Sequence, residues 1–291
     1  MTAAPSASRR QLDQLSRSQP EAGPWLALVE ATLVEAEQPV WAAAAMASLL
    51  QTEQVGGAPL LTGATVPLPR PVADDWLRRL LALAGEAGPE AISLRVAASA
   101  TDLDAPGLLE AAINQDEPRI AAEADRLGTD SHALAAIAHL ATGPLLQALR
   151  RRFAGATGAS WEQGSCPICG AWPAAAESRG LERSRHLRCG RCGADWAFAT
   201  LRCPFCATDD HAKLSSLVPE QQAESRRIET CEVCRGYVKQ LATLRPWAGD
   251  EVALADLASV DLDLAALEHD YARPERPAHH LGLRLVDPLP V

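Results

Sequence analysis

All eight cysteines of the chain fall in four Cys-x-x-Cys pairs, and no other feature limits the fold as much. The pairs are Cys166/Cys169, Cys189/Cys192, Cys203/Cys206 and Cys231/Cys234, confined to 69 consecutive residues. A Cys-x-x-Cys turn aims two thiolates at one point. Two such turns supply the four sulfurs that a tetrahedral zinc or iron site takes. Eight cysteines therefore make two complete sites. Nineteen residues separate the first two pairs and 24 the last two, and either gap suits a ribbon that leaves and returns. Joining neighbours puts Cys166, Cys169, Cys189 and Cys192 in one site and Cys203, Cys206, Cys231 and Cys234 in the other. The crossed alternative joins first with third and second with fourth. Zinc and iron both accept four thiolates. A closed shell of this kind leaves no position for substrate and is ordinarily structural; iron would add one-electron chemistry.

Glycine follows the second cysteine in Cys166-Pro-Ile-Cys169-Gly and in Cys189-Gly-Arg-Cys192-Gly. It tolerates positive φ there and lets backbone N–H groups approach the sulfurs. Pro167 and Pro204 stiffen two of the turns. Disulfide frameworks belong to exported chains. The start, MTAAPSASRRQLDQLSRSQP, has arginines but no apolar run behind them, so no signal peptide is expected. The cysteines then read as metal ligands in a cytoplasmic protein. No run of about 18 uncharged apolar residues exists, so no membrane insertion is expected.

The 291 residues are 47% hydrophobic, enough for a real core. The net charge of −10 argues against bulk affinity for nucleic acid or anionic lipid. The acid lies in the flanks: residues 161–245 carry 12 Lys/Arg against 10 Asp/Glu. There is no phosphate-binding loop, nucleophile elbow or two-histidine helix motif, and the chain is not read as an enzyme.

Residues 1–160 read as a helical domain. Pro24 starts a helix through WLALVEATLVEAEQ, and a second follows in WAAAAMASLLQ. Residues 56–71, punctuated by Gly and Pro, read as a loop. Asp74 or Asp75 is placed to cap WLRRLLALAGEA. Helices are expected at 88–99, 105–126 and 131–154, the last kinked at Gly143-Pro144. A Gly/Ser/Thr linker at 155–165 puts a boundary near 160. Residues 161–245 form the metal region, with short strands entering and leaving the knuckles. Residues 246–291 are one helix, DEVALADLASVDLDLAALEHDYA, and a tail. The expected class is a mainly α N-terminal domain, then a small α+β region of two zinc-ribbon-like four-cysteine modules, then a C-terminal helix.

The stretches CPICGAWP, Gly180-Leu181, LRCGRCGADWAFATLRCPFC, ETCEVCRGYVKQL and ADLASVDLDLAALEHDYAR resemble the formate dehydrogenase accessory protein family, FdhE. The likeness is specific from about 166 to 273 and looser in PEAGPWLALVEATLVEAEQ and ATGPLLQALRRRF. It implies a cytoplasmic assembly protein that binds the catalytic subunit of respiratory formate dehydrogenase before export. It also implies two rubredoxin-like iron sites, with the eight cysteines as ligands. The tail PERPAHHLGLRLVDPLPV departs from the family's Asn-Pro ending, and no tail function is carried over. The rivals are a nucleic-acid-binding ribbon and an electron carrier of rubredoxin type.

Trp172, Trp196, Phe198, Phe205 and Tyr237 read as the small core of two ribbons, with an exposed partner patch as the alternative. Arg183, Arg185, Arg188, Arg191 and Arg202 are candidates to meet an acidic face of a client, or else a solvated surface. His186 and His211 lie near knuckles but are not needed as ligands, and His279-His280 reads as a solvated loop.

Overall fold

The structure, a computed structural model, describes residues 7–49, 57–88, 91–153, 161–219 and 225–288. The boundary expected near 160 and the first part of its linker lie outside the described residues. The chain forms two compact units. One comprises Met1–Glu53, Leu60–Arg152 and His280–Val291; the other comprises Gln54–Pro59 and Phe153–His279.

The first unit is helical. It runs through α1 (Ala7–Ser18), α2 (Gly23–Glu35), α3 (Pro39–Ala47), a short strand β1 (Thr65–Pro67), α4 (Arg70–Ala84), α5 (Ile92–Ser99), α6 (Ala105–Asn114), α7 (Glu117–Leu127), α8 (Ser131–Ala141) and α9 (Gly143–Arg152). Several starts are set by proline in the first turn, as at Pro24, Pro39 and Pro71. Asp74 and Asp75 do not cap α4. Pro71 lets the helix begin a turn earlier, at Arg70, and both aspartates lie inside it. The helix expected over 105–126 is two. Gln115 turns left-handed at φ 56, Asp116 accepts the Arg119 N–H, and Pro118 cannot continue an earlier helix. The expected break at Gly143-Pro144 is present, and Thr142 closes α8.

Trp41 and Trp76 are buried at the centre of this unit. The Trp76 indole donates to the Ala141 carbonyl (2.8 Å), and the Trp41 indole donates to Glu35 (2.9 Å), which also pairs with Arg79. By length and composition, Ser131–Arg152 is apolar enough to cross a membrane. Two-thirds of its most apolar stretch is buried, and Thr142 splits it into α8 and α9, so it serves as core. The 56–71 loop also holds β1, which pairs in parallel with β8 (Arg284–Val286) from the tail. Asn114 brackets that strand, donating to the Leu283 carbonyl and accepting the Leu283 N–H.

The second unit holds β2 (Ala175–Arg179), β3 (Ser184–Arg188), β4 (Asp195–Ala197), β5 (Leu214–Leu217), β6 (Arg226–Cys231) and β7 (Tyr237–Thr243), followed by α10 (Glu251–Leu257) and α11 (Val260–Glu268). The strands make one six-stranded sheet, ordered β4-β3-β2-β7-β6-β5. Only β2 and β7 pair in parallel. In chain order the sheet is the same unit twice: knuckle, two strands, knuckle, third strand. Its sequence shows only the recurring knuckle, because the repeat lies in the pairing. The expected single C-terminal helix is broken at Ala258–Ser259, where the Ser259 hydroxyl bonds back to Ala255. Lys239 is fully buried under these helices, where its ammonium meets Asp263 (2.7 Å) and Asp256 (2.6 Å). Arg273 reaches both aspartates at 3.0 Å, and the Tyr237 hydroxyl donates to Asp263.

Candidate metal centres

The knuckles share one backbone design. The N–H of each leading cysteine donates to the carbonyl five residues on: Cys166 to Ala171, Cys189 to Ala194, Cys203 to Thr208 and Cys231 to Gly236 (2.8–3.0 Å). In the first three, the N–H four residues on returns to that cysteine's carbonyl at 2.9–3.0 Å. The chain must turn left-handed there, at Gly170 (φ 67), Gly193 (φ 75), Ala207 (φ 61) and Arg235 (φ 56). Glycine answers this need in the first repeat; the second repeat uses alanine and arginine instead.

The structure brings the thiols together as neighbours. Cys166, Cys169, Cys189 and Cys192 form one group and Cys203, Cys206, Cys231 and Cys234 the other, with all sulfurs of a group within 4.8 Å of one another. The closest pairs stand at 3.4 Å (Cys169–Cys189), 3.6 Å (Cys166–Cys192 and Cys203–Cys234) and 3.7 Å (Cys206–Cys231). Four sulfurs at about 2.3 Å from a tetrahedral ion lie about 3.8 Å apart, so each group has room for one metal ion. The first is buried throughout, while Cys206 and Cys234 of the second are exposed.

Charge follows the same division. Burial pushes Cys166 and Cys192 up, while hydrogen bonds from neighbouring thiols draw Cys189 down. In the second group burial raises Cys203, and Cys234 is pushed up to about 11. Burial also acts to raise Cys206, but hydrogen bonds from Thr208 outweigh it and bring that thiol down to about 7. A divalent cation at the centre makes all four thiolates favourable at once, which couples metal binding to folding.

The surroundings correct the reading of the arginines. Arg188 and Arg185 are buried and cannot meet a client. Arg188 pairs with buried Glu177 and donates to the carbonyls of Trp247, Gly193 and Ala194, so it holds the second knuckle of the first site. Glu177 also accepts the Trp247 N–H (3.2 Å) and pairs with Arg179. Arg185 pairs with Glu229 (2.6 Å) and donates to the carbonyls of Ala199 and Arg202. Sequence reasoning missed Glu177; its signal was an acid inside an apolar strand, AAESR. Arg183 is exposed, and Arg191 and Arg202 are half-buried.

Trp196, Phe198 and Tyr237 are buried, and Trp172 stacks edge-on to Phe205 with ring centres 5.4 Å apart. Trp196, Phe198 and Tyr237 are therefore core, while Trp172 and Phe205 are half-buried at its margin. His186 bonds Asp195 (2.8 Å) and His211 begins a 3-10 turn; neither joins a thiol group. His279 is half-buried against Gln163 (3.0 Å) rather than solvated.

Fold and site together define a class: a helical protein carrying two four-thiol ribbons fused into one sheet. Residues 201–278 match the family model described as FdhE, C-terminal domain, a segment that contains the whole second thiol group. Proteins named "Protein FdhE homolog" are 36% identical over 115 residues in Stutzerimonas stutzeri and 31% over 119 residues in Aquifex aeolicus. These alignments span 38% and 40% of this chain and 37% and 41% of those relatives. The crystal structure of the FdhE protein from Pseudomonas aeruginosa superposes with a TM-score of 0.59 over 94% of this chain and 96% of that one, at 23% identity. Residues 201–278 thus match a domain of the family that the motifs resemble, and the chain has the fold of that FdhE structure.

Proposed function

We propose that this protein is an accessory factor for respiratory formate dehydrogenase, binding its catalytic subunit in the cytoplasm to promote maturation of active enzyme. The observation that carries the reading is the FdhE C-terminal domain over residues 201–278, placed on one of two intact four-thiol groups. On this reading the eight cysteines hold two metal ions per chain, iron by family resemblance and zinc by equal chemical fit. A four-thiolate iron ion supplies a one-electron couple; either metal supplies rigidity. The protein's own residues do the rest. The shared sheet fixes the two ribbons into one rigid surface, Arg188 and Glu177 lock the second knuckle of the first site, and the closed thiolate shells leave no substrate position, so on this reading the protein recognises rather than catalyses.

The test is formate dehydrogenase activity in a strain lacking the gene, complemented by wild type or by Cys166→Ser/Cys169→Ser. Rescue by wild type and at least tenfold less activity with the double variant are expected. Normal activity in the deleted strain removes the proposal. Full rescue by the variant keeps the accessory role and strikes the first metal site from it.

A further inference from the structure

The duplicated sheet fills one kind of edge in the first repeat and leaves it open in the second. In the first repeat the leading strand β2 pairs with β3 on one side and accepts β7, in parallel, on the other. The equivalent strand of the second repeat is β5. It pairs with β6 alone and ends the sheet. Glu232 N–H donates to the Lys213 carbonyl, so by antiparallel alternation the ladder bonds fall at 213, 215 and 217. The N–H and C=O of Ser216 and the C=O of Leu214 therefore face outward. The Leu214 N–H is taken by His211. No described strand meets this edge.

A cavity of about 230 Å³ opens on the sheet face beside it. By register Leu214, Ser216, Arg227, Glu229 and Val238 share that face, and residues 200–205 also line the cavity. Its charge is lopsided in a chain of net charge −10. Three arginines line it, Arg185, Arg202 and Arg227, against one acid, Glu229. Arg185 already pairs with Glu229 at 2.6 Å. Arg227 stands 3.7 Å from Glu229 and donates to Gln240, while the Arg202 guanidinium lies over the Phe198 ring.

From these features we infer that β5 is a docking edge for an extended acidic polypeptide segment, which joins the sheet in parallel as β7 joins β2. Backbone bonds to Leu214 and Ser216 hold the segment, and every second side chain enters the cavity, where a carboxylate meets Arg202 and Arg227. The inference deepens the accessory reading by naming what kind of client segment is held, and where.

The experiment needs no formate dehydrogenase, so its failure is separate from failure of that reading. Full-length metal-loaded protein is titrated against a fluorescein-labelled nine-residue peptide alternating Glu and Val, and against its Lys/Val counterpart, by fluorescence anisotropy. Saturable binding of the acidic peptide alone is expected. Arg227→Glu should weaken it at least tenfold. Ser216→Pro should do the same while leaving the circular dichroism and metal content unchanged, because proline at an outward N–H of an edge strand removes no ladder bond. Absence of saturable binding up to millimolar protein overturns the inference. So does acidic binding that survives both variants. Binding of single-stranded DNA that Arg227→Glu abolishes and Ser216→Pro spares assigns the arginines to phosphate and also overturns it.

Discussion

Gly170, Gly193, Ala207 and Arg235 stand at one position of a repeated turn, and the turn requires positive φ from each. At Gly193 a second constraint acts. A Cβ there would sit 2.3 Å from the Gly249 carbonyl oxygen, a backbone atom that cannot swing away. Gly193→Ala should therefore destabilise the metal-loaded protein by about 2–4 kcal/mol, adding overpacking to left-handed strain. Gly180→Ala, also at positive φ but with nothing within 4 Å of its Cβ, should cost only the conformational part, about 1–2 kcal/mol. Denaturant unfolding of both variants tests this; equal losses would remove the role given to Gly249. The cysteine and glycine positions were legible because the chemistry of a knuckle is local. Arg188 was legible as a residue but not as a role. Nothing near it in sequence says that Glu177 and Trp247 will close around its guanidinium.

Among elements, the docking of α10 and α11 rests on charge as well as apolar contact. Ile228, Tyr237, Leu262 and Ala266 form the buried cluster, and Lys239, Arg273, Asp256 and Asp263 form the ionic one beside it. Burial acts to raise the Asp256 carboxyl, but the Arg273 and Lys239 charges outweigh it and hold the group below its ordinary range. A depressed carboxylate contributes stability above its unfolded pKa of about 3.9, and loses it as pH falls through the lower folded value. Asp256→Asn should thus cost roughly 1–3 kcal/mol at pH 7. The gap from wild type should narrow below about pH 4, the thiolate groups weighing on both proteins alike. Melting curves of the two from pH 7 to 3 provide the check, and a gap that widens with acid contradicts the assignment. Sequence pattern announced this helical segment but not its break, since Ser259 and its neighbours carry no proline or glycine. It also missed β1 and β8. Three-residue strands have no periodicity of their own, and their pairing is set by Asn114 and the surrounding helices.

The whole molecule divides its stability between two kinds of core. The helical unit buries two tryptophans and a dense set of leucines and alanines, which is core enough without metal. The ribbon unit spreads six short strands over a thin apolar layer and places eight thiols where ion binding would supply the missing stability. Stripping metal with a mercurial thiol reagent followed by a chelator should therefore act on one unit. Most of the helical far-ultraviolet signal should persist, while trypsin should cut at the arginines and lysines of 179–245 well before those of 70–152. Returning zinc or iron(II) under reducing conditions should restore protection of the ribbon unit. A single cooperative loss of all helix on metal removal would mean that the two cores do not stand separately. Loss of neither would mean that the thiol groups do not carry the ribbon fold at all.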